Sequence, residues 1–432
     1  MINRIIIIGN GFDLAHGLKT SYANFIYHYW EEKIKDVKFR PELIFDPLIE
    51  KDNGDINKTP RTIREIMGED LYKVNEGKDI LDKLCYNKKI LKKITTPFLY
   101  ILSQNVNQKN WVDIEEIYYQ LILYQAYRRA GIKKNEPFPI DEMTNLIPVK
   151  KLNEQLDFIA GKLKEYLWDA TQNADSFNEM KLIFKESIEV IDIDPSKFNL
   201  YIEYCKELAS INQDELVKYW TERNVIIDKA NQTLQDFINS GIDIEKYVEG
   251  KFGFGLEQIV FPYQTLFLNF NYTNIADFYK YCISNVSVIH IHGRINEDNS
   301  LIFGYGDEKD DDFKLIQNTK DNEFLQNFKS IRYLESERYR NLLKFIESAP
   351  YQIFILGHSC GNSDRTLLNI LFEHKNCISI KPYYHKKNNN TDNYLDIIQN
   401  MSRNFTDMNL MRSRVVNKNS CWPLPQLKDS KK

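Results

Sequence analysis

The stretch that decides the fold is Arg4-Ile5-Ile6-Ile7-Ile8-Gly9-Asn10-Gly11-Phe12-Asp13-Leu14-Ala15-His16-Gly17-Leu18. Residues 5–8 form an unbroken β-branched run, the pattern of a parallel strand buried on both faces. The chain then turns at Gly9-Asn10-Gly11, and helical spacing of Phe25, Ile26, Tyr29 and Trp30 follows from about Tyr22. A strand, a glycine turn and a helix bring backbone N–H groups and a positive helix end toward a phosphate. The spacing departs from a dinucleotide fingerprint, because Gly17 lies six residues after Gly11 and not three. If the turn cradles a pyrophosphate, Asn10 and Phe12 offer backbone groups, and Asp13 and His16 point into the cleft. The competing reading is a tight turn packed on the sheet, with Thr20 or Ser21 capping the next helix.

Over 432 residues the chain can bury a large core in two lobes. A net charge of -4 leaves no basic footprint for nucleic acid or an anionic membrane. Six cysteines stand far apart with no C-x-x-C pair, which argues against structural zinc and a disulfide scaffold. No signal-peptide pattern and no membrane-length apolar run is legible, so a cytoplasmic protein with reduced thiols is expected.

Residues 1–35 supply the first strand, the glycine turn and a helix. Residues 36–250 read as one mainly helical insertion after an irregular start. Residues 251–415 return to α/β alternation, with strands expected at 263–270, 286–291, 301–303, 352–356 and 377–380. Residues 416–432 read as a loose tail. The acidic run 307–312 reads as a solvated loop. The expected architecture is an α/β, Rossmann-like parallel sheet with a large all-helical insertion after its first strand.

Three further segments carry chemistry. Asn269 and Asn271 end the second strand, where α/β sheets place ligand groups. An asparagine can hold a ribose hydroxyl or orient a water, although Asx-turn chemistry at a strand end is the plainer alternative. His290 and His292 crowd the next strand end before Gly293, and a histidine base there suits proton transfer near neutral pH. A metal pair there lacks an obvious third ligand, and no metal is expected. The third segment, Gly357-His358-Ser359-Cys360-Gly361, matches the G-x-S-x-G nucleophile elbow, with His374 or His385 as the base of a serine hydrolase. Against that reading, only 71 residues follow Gly361, and the next helix starts at Ser363 or Asp364, not at the serine. On Trp111-Val112-Asp113-Ile114-Glu115-Glu116, the acids of a first helical turn serve the caps and the dipole.

Taken together, these segments resemble the AbiH family of bacterial phage abortive-infection proteins. The resemblance is carried by residues 9–18 with Thr20 and Tyr22, by 111–115, by Asn271-Tyr272-Thr273, by 290–293, and by Gly357-His358-Ser359 with Asp364. It implies a role in phage defence in which infected cells stop growing or die. The same motifs resemble, more distantly, sirtuin-like NAD-binding proteins. Gly9, Gly11 and Gly17 fall on the three glycines of their G-A-G-[IV]-S-x-x-x-G pattern. Asn271 falls on their catalytic asparagine and His292 on their catalytic histidine, while Gly357, His358 and Ser359 fall on a nucleotide-binding turn. Asp13, Lys19 and Thr273 depart from that pattern, and the zinc cysteines of protein deacylases are missing.

The resemblance therefore implies cleavage of the nicotinamide–ribose bond of NAD as substrate, with Asn271 and His292 catalytic. Gly9, Asn10, Gly11, Asp13, His16, Gly17 and Asn269 would line the nucleotide site, and Gly357, His358, Ser359 and Asp364 would complete it on the adenosine side. A phage-encoded activator and a homo-oligomer are expected partners. The opposing class is a nucleotide-binding sensor that kills without catalysis.

Overall fold

The computed structural model describes residues 1–39, 46–49, 58–69, 73, 76–86, 88–109, 113–132, 147–240, 255–297, 301–306, 308, 311–387 and 391–427. Five strands are present among them: β1 (Asn3–Ile8), β2 (Thr265–Asn269), β3 (Val286–His290), β4 (Tyr351–Leu356) and β5 (Cys377–Tyr383). All pair in parallel, in the order β3-β2-β1-β4-β5. That is a Rossmann-like order, in keeping with the expected α/β parallel sheet. It places β1 at the switch point, where β2 leaves on one side and β4 on the other. Every residue of β1, β2, β4 and β5 is buried, which explains their near-continuous apolar sequences. β3 and β5 are the edge strands; β3 is only partly buried, whereas β5 is covered throughout.

By contact the chain divides into two compact units. The first holds Met1–Leu18, Asn173–Ser300 and Tyr333–Lys432, and contains the whole sheet. One sheet face, carrying Ile6, Ile8, Phe267, Phe354 and Leu356, packs with Phe12 and Ala15 and with the helix Asn178–Phe184. Helices Phe198–Ser210, Gln213–Thr221 and Ile227–Ser240 gather around Tyr201, Tyr204 and Trp220, together with Ile2 and Ile378.

The second unit holds Lys19–Gln172 and Leu301–Arg332. It is helical, from Tyr22–Phe39 through Val149–Thr171, and among its described residues it has no strand. Ser21 Oγ accepts the N–H of Asn24, so Ser21 caps the Tyr22–Phe39 helix as its sequence position predicts. Trp30 Nε1 donates to Ser103 Oγ in the core of this unit.

Four expectations need correction. Residues 301–303 form no strand; Leu301 and its neighbours are followed by Gly304, and only one isolated bridge joins Tyr305 to Phe328. The glycine turn is shorter than read, because a six-residue helix, α1 (Asn10–Ala15), begins directly after Gly9. The stretch after residue 416, read as loose, is bonded back: Val416 N–H donates to Ile380, Leu424 N–H to Tyr384 and Leu427 N–H to Ala15. Cys421 and Leu424 are buried there, and this offsets the ordering cost that prolines and lysines had suggested. Residues 307, 309 and 310 of the acidic run and residues 111–112 lie outside the described residues, while Asp311 and Asp312 open the helix Asp311–Asn318 rather than a loop.

Candidate active site

The loops after β1 and β4 meet over the switch point. Gly9 N–H donates to Leu356 O at 3.0 Å and Gly11 N–H to Gly357 O at 2.8 Å, while Phe12 N–H closes back on Gly9 O. A Cβ on Gly9 would lie 2.5 Å from His358 Cα, and one on Gly11 2.8 Å from Gly357 Cα. These glycines therefore let two backbones touch, and their N–H groups are committed to carbonyls. Gly17 does something else. It has φ +75° with open space around it and ends α1, where Gly17 N–H donates to Leu14 O and Leu18 N–H to Asp13 O.

Asp13 is buried in the middle of the site. Its Oδ1 accepts from Asn271 Nδ2 at 2.9 Å and its Oδ2 from Thr273 Oγ1 at 2.6 Å. Burial pushes its carboxyl up to about 7 from an ordinary 3.8, against the pull of the Thr273 and Asn271 hydrogen bonds. A folded-state value above the unfolded one means the folded chain holds the proton more tightly. The associated stability is full below about pH 4 and is lost as pH rises toward 7, at about 1.4 kcal/mol for each tenfold fall in proton concentration. Relative to Asp13→Asn, the parent should lose melting temperature between pH 5 and pH 8. Thermal unfolding of both proteins across that range checks this, and a constant difference between them would contradict it.

His16 does not face this site. Its Nδ1–H donates to Phe12 O at 2.7 Å and its Nε2 accepts from Tyr279 Oη at 2.6 Å. Its ring packs against Phe12, Phe177 and Tyr279, and burial lowers its pKa. The helical turn of α1 sends this side chain into the apolar core, so His16 is a core histidine with both nitrogens used.

Asn269 and Asn271 interlock. Asn269 Oδ1 accepts Asn271 N–H at 3.0 Å, and Asn269 Nδ2 donates to Thr273 O and to His290 Nδ1. His290 Nε2 meets Asp277 Oδ2 at 2.8 Å, which fixes the proton on Nε2. Asn269 and His290, paired in register at the ends of β2 and β3, thus shape the loop that carries Asn271. Asn271 Nδ2 is spent on Gly9 O and Asp13. Its Oδ1 accepts no hydrogen bond from the described residues and is left as an acceptor.

β3 ends at His290, so strand alternation no longer governs His292, and the two histidines separate. His292 Nδ1 donates to Phe270 O at 3.1 Å. The peptide linking Phe270 to Asn271 is therefore held by His292 on its carbonyl and by Asn269 on its N–H. His292 Nε2 contacts Tyr333 Oη at 3.0 Å and lies 3.3 Å from Asp364 Oδ1. The other carboxylate oxygen, Asp364 Oδ2, lies 3.5 Å from His358 Nε2. His358 Nδ1 accepts Cys360 N–H at 3.0 Å, so its proton sits on the nitrogen facing Asp364.

One carboxylate thus stands between two buried imidazoles at the ends of β3 and β4. Asp364 holds the N-cap position of helix Arg365–Glu373 but makes no capping bond. A cap of that kind contributes about 1 kcal/mol, which this side chain forgoes while it faces His292 and His358. Beside it, Cys360 is a non-glycine residue at φ +54°, the kind of backbone strain that collects at functional turns.

Ser359 is exposed, and its hydroxyl has no hydrogen bond to an imidazole among the described residues. His374 contacts Glu347 and stacks on Tyr351, at the opposite end of β4. His385 is an exposed residue beyond β5. The histidine–serine pairing of a hydrolase elbow is therefore not formed.

Tyr333 carried no motif, and only the packing of its ring parallel to His292 reveals it. In the helical unit, Asp113 caps helix Ile114–Arg129 by accepting Glu116 N–H. Glu115 is paired with buried Lys329 at 3.1 Å and accepts the N–H of Gly304. Asp113 thus plays the capping role expected of it, while the buried ion pair of Glu115 goes beyond that expectation. Among the described residues no cluster of three or more metal-binding side chains exists, and no helix is long and apolar enough to cross a membrane.

No curated protein and no solved structure matches the chain. The family described as bacteriophage abortive infection AbiH matches residues 5–385, a span that includes Asp13, Asn271, His292, His358 and Asp364. The chain belongs to this family of bacterial abortive-infection proteins.

Proposed function

We propose that this AbiH-family protein acts in abortive infection by hydrolysing NAD at its nicotinamide–ribose bond. The observation that carries the reading is the pairing of Asn271 Oδ1, an acceptor with no partner among the described residues, with His292 on the far side of the same peptide. Both stand at the carboxyl ends of a Rossmann-ordered sheet, where nucleotide ligands bind.

Nicotinamide leaves from a cationic ring as a neutral molecule, so its departure needs no strong acid. The C1′–N bond breaks with its electron pair going to the ring nitrogen, and a water oxygen bonds to C1′. The water's proton passes to His292 Nε2. Asn271 Oδ1 holds the water or a ribose hydroxyl, and Asp364, 3.3 Å from Nε2, stabilises the imidazolium that forms. The attacking water takes the place of Tyr333 Oη on Nε2. Asp364 is thereby reassigned from the adenosine side to the reacting side. Binding a pyrophosphate through Gly9 and Gly11 requires their turn to part from Gly357 and His358.

The test is purified protein incubated with NAD, with and without lysate of phage-infected cells. Nicotinamide and ADP-ribose should appear in equal amounts. Intact NAD under every activating condition overturns the reading, and NAD that binds without being cleaved supports the sensor class instead.

A further inference from the structure

Apart from Asn271, His292 and Asp364, none of which lines it, the sheet-bearing unit has a cleft of about 830 Å³, within the range of small-molecule sites. Among its described lining residues are four cations, Lys185, Arg223, Lys229 and Lys381, against two carboxylates, Glu186 and Glu189. Glu186 is occupied by the Tyr383 hydroxyl at 2.6 Å. Neither Lys185 nor Lys229 has a carboxylate partner among the described residues. Arg223 is buried and held in place, stacked over Tyr219 and Phe261 and donating to Tyr219 O. The helix Ile227–Ser240 starts here, with Ile226, Lys229, Ala230 and Thr233 on the wall.

The polar character continues behind the wall. Lys381 is bonded to buried Asp192 at 3.0 Å, and Arg4 donates to the carbonyls of Glu186 and Ser187. Arg4, Gln352 and Ser379 are in register across β1, β4 and β5. Gln352 Nε2, Ser379 Oγ and Asp192 Oδ1 are buried without a hydrogen-bond partner. The rim has the opposite chemistry: Trp422, Ile226 and Leu182 are 56%, 70% and 64% exposed. Large apolar side chains grouped on the edge of a cationic cleft suit a ligand with a flat ring and an anionic end.

We propose that this cleft binds a nucleoside phosphate, at a site separate from Asn271, His292 and Asp364. The phosphates lie on Lys185, Arg223 and Lys229, and the base lies against Trp422. The inference does not rest on NAD cleavage.

Calorimetric titration of the full chain with ATP tests it, with adenosine and inorganic triphosphate in separate arms. ATP should bind at least about 10-fold tighter than either part, because each half of the site contributes. The double variant Lys185→Glu/Lys229→Glu should weaken ATP about 10-fold or more. Trp422→Ala should cost about 5-fold or more, the scale of one stacked base, with Trp422→Phe as the substitute should the alanine variant not fold. Asn271→Ala should leave ATP affinity unchanged. The site is refuted by ATP binding no tighter than triphosphate, by equal affinity in the charge-reversed variant, or by loss of ATP binding in Asn271→Ala.

Discussion

His292→Ala is expected to slow NAD cleavage by about 100- to 10,000-fold, the range over which a positioned general base contributes, and to abolish phage defence. The side chain is 3% exposed, and its Nδ1–H is fixed on Phe270 O, so Nε2 is the nitrogen that can take a proton. Asn271→Ala should fall in the same range, because the unpartnered Oδ1 disappears with the side chain. Asp364→Asn separates positioning from charge. It keeps the shape but cannot neutralise an imidazolium, so its kcat should fall with little change in KM. Turnover of NAD by each purified variant, read beside its melting temperature, distinguishes lost chemistry from lost folding. A folded His292→Ala that cleaves NAD at the parent rate would remove the histidine from the mechanism. One that defends as well as the parent would do the same for its role in the cell.

Gly357→Ala should destabilise the protein by about 4 kcal/mol or more, at the severe end of single substitutions. Gly357 has φ +70°, and a Cβ there would lie 2.1 Å from Phe12 N and 2.4 Å from Gly11 C. The added methyl meets backbone that is itself bonded to Gly357, so neither turn can yield without losing the Gly11–Gly357 hydrogen bond. Gly17→Ala is the control. Its φ of +75° is similar, yet a Cβ there meets nothing within 4 Å. Only the left-handed conformation is penalised, at about 1–2 kcal/mol. Urea unfolding of both variants compares the two costs. Equal losses would mean that backbone conformation, and not the contact between the turns, explains both glycines.

Much of the sheet was legible because buried parallel strands must be almost wholly apolar. Residues 5–8, 263–270, 286–291, 352–356 and 377–380 read as strands and correspond to β1 through β5. Residues 301–303 read the same way and failed, since three apolar residues before Gly304 lack a neighbouring strand to complete a ladder. Within the helical stretch 36–250, the apolar spacing over 90–104 is split between Lys88–Ile94 and Pro97–Lys109, since Pro97 has no N–H to continue the first helix. His16 shows a different limit. A polar residue five positions after a glycine turn has no sequence mark for whether it faces a cleft or Tyr279.

The site divides along the same line. Asn271, His292, Asp364 and the paired glycine turns could be named from motifs, because each lies in the segment that follows a strand. Their relations could not. The bridge of Asp364 between His292 and His358 joins residues that follow two non-adjacent strands, β3 and β4. The hold of Asp13 on Asn271 spans 258 positions, and the contact of Tyr333 with His292 belongs to no motif. Local sequence alone determined the strands, the family and the residues with chemistry to offer, since burial and turn geometry act over a few neighbouring positions. Tertiary structure decided which of those residues meet and which nitrogen or oxygen is left for a ligand, because hydrogen bonds across strands depend on sheet order, and sheet order is set by packing of the whole unit.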